Sequence, residues 1–220
     1  LYAENPIFSK HNLKTTLSSG YFKMLGVLSK SRNGLALLRK WKIFSILHHI
    51  INERGREDLI LGFLSEFDYN LPSQLRIIFA HSLTSCDSSI RMFSTKHLAV
   101  ILTHATTASC SKWAVGLLIN QLYDPGMEIC NIAVQILDAH CLDPRKIGGV
   151  VKYKPSLDHL GNIGAPLLLR FLSTPLGFND LLEIDFIEKE MQDWYVRKND
   201  LYVLEIENLL NEEYMPFRTN

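Results

Sequence analysis

The apolar residues of this chain recur on a stride of 39. Ile90, Phe93, Ser94, His97, Leu98 and Ile101 stand at offsets 0, 3, 4, 7, 8 and 11, and Ile129, Ile132, Ala133, Ile136, Leu137 and His140 repeat those offsets 39 residues later. Leu83 falls on Leu122 and Ile78 on Leu117 with the same shift. Three- and four-residue spacing puts each set on one face of an α-helix. A period near 40 with two or more helices per unit is the pattern of HEAT and armadillo arrays. Each unit leaves an apolar face that only a neighbour covers, so the units stack. The expected fold is all-α, an armadillo/HEAT-like α-solenoid of stacked helices.

A second echo points the same way. Leu28-Ser29, Gly34-Leu35, Leu38 and Ile43-Phe44 correspond to Leu172-Ser173, Gly177-Phe178, Leu181 and Phe186-Ile187, with one residue fewer between serine and glycine in the later copy. The glycine is expected where one helix ends and the next begins, in a conformation that costs a residue with a Cβ about 1 to 2 kcal/mol. Periodicity predicts helices over 21–29, 35–52, 56–67, 72–85, 88–103, 111–123, 125–140, 166–173 and 178–197. Asp124-Pro125 and Asp143-Pro144 each place a capping acceptor before a proline that needs no N–H partner in a first turn. The last helix is expected to break near Arg197-Lys198-Asn199-Asp200, and Trp41, Trp113 and Trp194 are expected to fill core between helices. The domain reading is one helical-repeat segment over 1–220, with blocks of about 1–141 and 157–220 joined by a connection at 142–156.

Charge and motifs exclude several function classes. Lys plus Arg and Asp plus Glu number 23 each, so no nucleic-acid partner is expected. The longest apolar stretches, such as Ala114 to Ile119, fall far short of the ~20 residues of a membrane span, so no transmembrane segment is expected. The chain opens on Leu1 without a methionine or a secretory leader, and it is expected to be part of a longer protein. Cys86, Cys110, Cys130 and Cys141 form no Cys-x-x-Cys pair and read as reduced cytosolic thiols. Cys130, Cys141 and His140 would need a further ligand from elsewhere to hold a metal. Neither a metal nor a cofactor is expected.

Nor does the chain show a catalytic constellation. Gly161-Asn-Ile-Gly164 is neither a dinucleotide fingerprint nor a Walker loop, and no strand precedes it. It reads as a tight turn feeding a helix with Pro166 in its first turn. His97 and His140 lie on the apolar stripes and are expected in half-buried slots between helices. His48 and His49 are adjacent and face apart. No serine or cysteine sits in a nucleophile elbow, so no catalytic residue is assigned.

The segment from Leu142 to Ser156 carries Arg145, Lys146, Lys152 and Lys154 against the single Asp143, and Gly148-Gly149 is expected to interrupt any helix there. These four cations are the candidate partner-binding residues, suited to an acidic partner or a lipid head group.

The run Lys154-Pro-Ser-Leu-Asp-His-Leu-Gly-Asn-Ile-Gly-Ala-Pro-Leu-Leu-Leu-Arg-Phe-Leu-Ser173, followed by Gly177-Phe178, resembles a segment of the Rictor (Pianissimo) family. Tyr21-Phe-Lys-Met-Leu-Gly-Val-Leu-Ser29, Trp41-Lys-Ile-Phe44, Arg56-Glu-Asp-Leu-Ile60, Ser89-Ile-Arg-Met-Phe-Ser-Thr-Lys-His-Leu98 and Gln121-Leu-Tyr-Asp-Pro125 fit the same family in the same order. The resemblance implies an interior segment of a TOR complex 2 subunit, built from armadillo- or HEAT-like helices. Such a subunit scaffolds the TOR kinase and its companion subunits and helps direct phosphorylation of AGC-family kinases, without being a kinase. It further implies a cytoplasmic chain brought to the plasma membrane through the complex. Part of the family is compared with the non-catalytic N-terminal module of Ras exchange factors, which implies contact with a Ras-type small GTPase as the alternative. The cut ends of such an array expose apolar surface, so self-association through 1–13 or 201–217 is expected.

Overall fold

The computed structural model describes residues 9–15, 17–51, 55–200, 203–204 and 207. Among them the regular structure is helical, and no strand occurs. The helices are α1 (Lys10–Thr15), α2 (Gly20–Ser29), α3 (Arg32–Lys40), α4 (Ile43–Ile50), α5 (Glu57–Glu66), α6 (Gln74–Ser82) and α7 (Ser88–Thr103). They continue as α8 (Ala108–Gln121), α9 (Met127–His140), α10 (Pro144–Val151), α11 (Ala165–Phe171), α12 (Pro175–Glu183) and α13 (Phe186–Asp193). The chain forms two compact units, one through Arg170 and one from Phe171. The division thus falls downstream of the 142–156 segment where the sequence reading places a connection.

The first unit is an all-α, solenoid-like stack, and the 39-residue stride is its physical basis. Helices α7 and α9 begin 39 residues apart, and α6 and α8 end 39 residues apart. Ile90, Ser94 and Leu98 are buried on α7, and Ile129, Ala133 and Leu137 are buried at the equivalent places on α9. Phe79 and Leu118, and Leu83 and Leu122, repeat this on the preceding helices. Polar bonds between units recur at nearly the same separation. The Asp68 amide donates to Ser29 Oγ at 2.8 Å, and Gln121 Nε2 donates to the Leu83 carbonyl at 3.4 Å. His159 Nε2 meets the Leu122 carbonyl at 2.8 Å. Inside the stack, the Ser82 and Ser94 hydroxyls lie 2.8 Å apart and tie α6 to α7 without leaving a buried oxygen unpaired.

The second echo proves closer than its letters suggest. Ser31 caps α3 by accepting from the Gly34 amide at 3.0 Å, and Thr174 caps α12 by accepting from the Gly177 amide at 3.2 Å. A Cβ on Gly34 would collide with the Leu28 carbonyl, and one on Gly177 with the Phe171 carbonyl. The helix holding each glycine is followed by a residue in the left-handed region that opens the next helix, Lys42 (φ 57) in the first copy and Asp185 (φ 56) in the second. Every one of these pairs is 143 residues apart, so the two copies align without the one-residue gap that the leucine-serine letters indicate.

Several boundaries differ from expectation. The helices read over 35–52 and 178–197 are each cut in two, at Lys42 and at Asp185. Trp41 is therefore not core: it sits at the end of α3 and is 50% exposed. Trp113 does pack inward, its ring stacked against Tyr69 at 5.9 Å. Asp143 caps α10 as expected, but the helix after Asp124 starts only at Met127. Asp124 is instead buried against Arg91, Nε to Oδ2 2.8 Å, while its Oδ1 accepts from the Gly126 amide at 2.7 Å. Past Asp193 the chain stays helical as a π-turn over Trp194–Lys198 and on to Asp200, where a break is expected. The proposed self-association ends, 1–13 and 201–217, fall mostly outside the described residues.

Candidate functional site

Segment 142–156 holds a helix over Pro144–Val151. Asp143 accepts from the Arg145 amide at 3.1 Å, Pro144 opens the helix, and α10 runs straight through Gly148-Gly149. Two glycines lower helix propensity by about 1 kcal/mol each. Ile147, Val150 and Val151 override this by burying on the stack.

Packing of α10 beside α8 opens a groove of about 510 Å³. Lys112 from α8, His140 from the end of α9, and Arg145, Lys146 and Lys152 from α10 and its cap line it, with no carboxylate among the lining residues. Tyr153 fixes the spacing: its hydroxyl donates to the Lys112 carbonyl at 3.2 Å. Its ring lies over Gly116, where a Cβ would stand 3.1 Å from the phenol oxygen, so Gly116 admits the close approach. Gly149 forms an open part of the lining, with nothing within 4 Å of where its Cβ would point.

The charges differ in availability. Arg145 returns to its own cap, Nε and Nη2 each 2.9 Å from an Asp143 oxygen. These bonds hold the Asp143 carboxyl below its ordinary value and raise the guanidinium. Lys112, Lys146 and Lys152 have no carboxylate within ion-pair distance among the described residues. Burial pushes the His140 imidazole down, the Lys146 charge adds to that, and Asp143 opposes it.

The structure thus brings together Arg145, Lys146 and Lys152 of the four expected cations. Lys154, at φ 44, is not among the lining residues. Lys112 and His140 escape a reading of contiguous residues. The stride could have found Lys112, since residues 39 to 41 before the basic segment stack beside it.

A smaller cavity of about 240 Å³ is lined in part by Lys30, Asp68, His97, His104 and Cys110. It lies below the range of about 300 to 1,000 Å³ usual for ligand sites. Burial pushes the His97 imidazole down and the Cys110 thiol up. Each is driven toward its neutral form, the reverse of the thiolate–imidazolium pair that a cysteine nucleophile needs. Nearby Arg76 is 8% exposed. It donates to the Tyr69 and Asn70 carbonyls at 2.8 and 2.9 Å and lies 5.0 Å over the Trp113 ring. These bonds pin the turn after α5 and leave the guanidinium no free face for a ligand. All four cysteines are free thiols, and the described residues hold no cluster of three or more metal-ligating side chains. No described helix is long and apolar enough to cross a membrane.

Comparison with known proteins covers the chain in two adjoining stretches. Residues 1–102 match the middle domain of the rapamycin-insensitive companion of mTOR, and residues 109–216 match the RasGEF_N domain of the same protein family. The target of rapamycin complex 2 subunit ste20 of Schizosaccharomyces pombe is 46% identical over 200 residues, 90% of this chain and 15% of that protein. The rapamycin-insensitive companion of mTOR of Homo sapiens is 36% identical over 208 residues, 94% of this chain and 12% of that protein. Protein pianissimo A of Dictyostelium discoideum is 36% identical over 202 residues, 91% of this chain and 18% of that protein. The chain therefore spans less than a fifth of the length of these relatives, and from the matches to both of its halves it belongs to the Rictor (Pianissimo) family.

Proposed function

We propose that this chain is a non-catalytic scaffold segment of a TOR complex 2 subunit, organising the TOR kinase and companion subunits for signalling to AGC kinases. The observation that carries the reading is the match of both halves to one family whose relatives include named subunits of that complex. A stack of HEAT- or armadillo-type helices suits the task, because each repeat extends a rigid surface toward the 1,200 to 2,000 Å² or so of a stable interface. Exposed Leu172, Leu176, Phe178 and Leu182 on the second unit give such a surface apolar anchor points. In this reading the chain is cytoplasmic and reaches the plasma membrane only through its complex.

The second reading is a regulatory module that receives a Ras-type small GTPase without exchange activity of its own. It is favoured by the RasGEF_N description of the profile matching 109–216. One experiment separates the two. The purified chain is tested for capture of the TOR kinase and each companion subunit, with a Ras-type GTPase loaded with GTP or GDP in parallel. Capture of a complex subunit whatever the nucleotide supports the scaffold. Capture of the GTP-loaded GTPase alone replaces it with the regulatory module, and capture of neither removes both.

A further inference from the structure

We propose that the groove between α8 and α10 is a binding site for a compact polyphosphate of the inositol phosphate class, held by Lys112, Lys146 and Lys152 with Arg145 at the rim. The inference is independent of membership in a complex, since it rests on the groove alone.

Three observations carry it. Lysine cations converge from two helices on one cavity of about 510 Å³ whose lining includes no carboxylate. The whole chain has no net charge, so this concentration is local and is not a share of a general excess. None of the three lysines is neutralised by a neighbouring acid among the described residues, whereas Arg91, Arg145 and Arg170 each hold an aspartate. Like charges set around a cavity repel, and a multiply charged anion in the middle relieves every pair at once.

The shape selects a compact anion over an acidic peptide. The cations line one pocket from two facing helices, and lysine ammonium groups recognise phosphate as point charges without demanding a planar partner. Tyr153, bonded to the Lys112 carbonyl and seated on Gly116, sets the distance between the helices before a ligand arrives. Gly149 leaves the lining open, so phosphate oxygens meet no side chain there.

His140 makes binding dependent on pH. Lys146, Lys152, Arg145 and Lys112 line the groove with it, and Asp143 is the acid that acts on it. An anion in the groove favours the imidazolium, so affinity rises as pH falls below the ordinary imidazole range.

The test is calorimetric titration of the chain with inositol hexakisphosphate at ~0.15 M salt, where exposed long-range attraction is screened. Saturable one-to-one binding is expected. It should weaken about tenfold for each of Lys112→Ala, Lys146→Ala and Lys152→Ala, the size of one charge-assisted contact. Gly149→Glu should weaken it about a hundredfold, by placing a like charge in open space. This variant meets no packed atom, so its melting temperature should be at least that of the parent and loss of binding cannot be misread as unfolding. Lys96→Glu, on the exposed side of α7, should leave binding unchanged.

Vesicles of phosphatidylcholine with and without phosphatidylinositol 4,5-bisphosphate separate the sources of the ligand. Binding to the phosphoinositide vesicles alone, lost in Gly149→Glu, assigns the site to a lipid headgroup. Binding of the soluble compound, lost in the same variant, assigns it to a free inositol phosphate. No binding of either by the folded chain, or equal weakening by Lys96→Glu and Lys146→Ala, overturns the proposal.

Discussion

Arg91 reaches across 33 residues to Asp124, Nε to Oδ2 2.8 Å and Nη2 to Oδ1 3.3 Å, with the carboxylate only 2% exposed. The pair fastens α7 to the turn between α8 and α9, and Asp124 also accepts from the Gly126 amide that leads into α9. Asp124→Ala leaves a guanidinium without its partner and should cost about 3 to 5 kcal/mol in urea unfolding. Arg91→Met with Asp124→Ala should cost clearly less than the two single changes summed. Simple additivity would show that the ion pair does not couple the two elements.

The glycines divide by what a methyl group would meet. Gly34→Ala and Gly177→Ala drive a Cβ into a backbone carbonyl that cannot swing aside, so each should lose about 1 to 3 kcal/mol or more. Gly149→Ala lies in α10 with open space around it and should gain about 0.5 to 1 kcal/mol. Equal effects at Gly34 and Gly149 in thermal unfolding would contradict the close approach of α3 to the end of α2.

How far the fold is legible in the sequence can be argued from these same places. The α7 and α9 stripes are readable because both helices bury one face at the same offsets, so spacing alone reports burial. The cuts at Lys42 and Asp185 are not, because neither glycine nor proline marks them. The chain turns there on a side chain that tolerates the left-handed region at a cost, repaid by packing on either side. Helix α10 is hidden for the opposite reason: its glycines speak against a helix, and only the buried face of Ile147, Val150 and Val151 decides for one. In the groove, Arg145, Lys146 and Lys152 are legible as neighbours in the chain, while Lys112 and His140 join them only through stacking.

Relief of the strained corners should be measurable. Lys42→Gly removes a Cβ from φ 57 and should stabilise by about 1 kcal/mol. Asp185→Gly should gain less, since aspartate adopts this region more readily. Loss of stability in both variants on chemical denaturation would place the corners elsewhere.

Stability should have a plateau bounded on both sides. Burial holds His97 and His140 below the ordinary 6.5, so the unfolded chain takes up protons first as pH falls. Stability is complete above about 6.5 and declines below it. Burial raises Cys141 from 9.0 to about 11, so on the alkaline side stability is complete below 9.0 and lost as pH climbs toward 11. Urea midpoints measured across this range should show both limbs, with a shallower acid limb for His97→Gln with His140→Gln. A midpoint that rises on acidification from neutrality would refute the burial of these rings.

Thiol labelling should count one fast site. Cys86 is exposed, while Cys110, Cys130 and Cys141 are buried and their thiols are pushed toward the protonated form. In the native chain at pH 8, a thiol reagent should modify Cys86 promptly and the other three only on unfolding. Two or more fast equivalents, with Cys86→Ser retaining one, would show a looser stack.

The joint that follows α2 and recurs after α11 has a further meaning. Its two copies share a capping hydroxyl, a glycine under a carbonyl and a left-handed corner, and their other positions hold mostly different residues. A bend built from so few fixed points gives substitution wide room everywhere else. Descendants that have drifted apart in letters would still turn at the same place, so in this lineage resemblance of form should outlast resemblance of spelling.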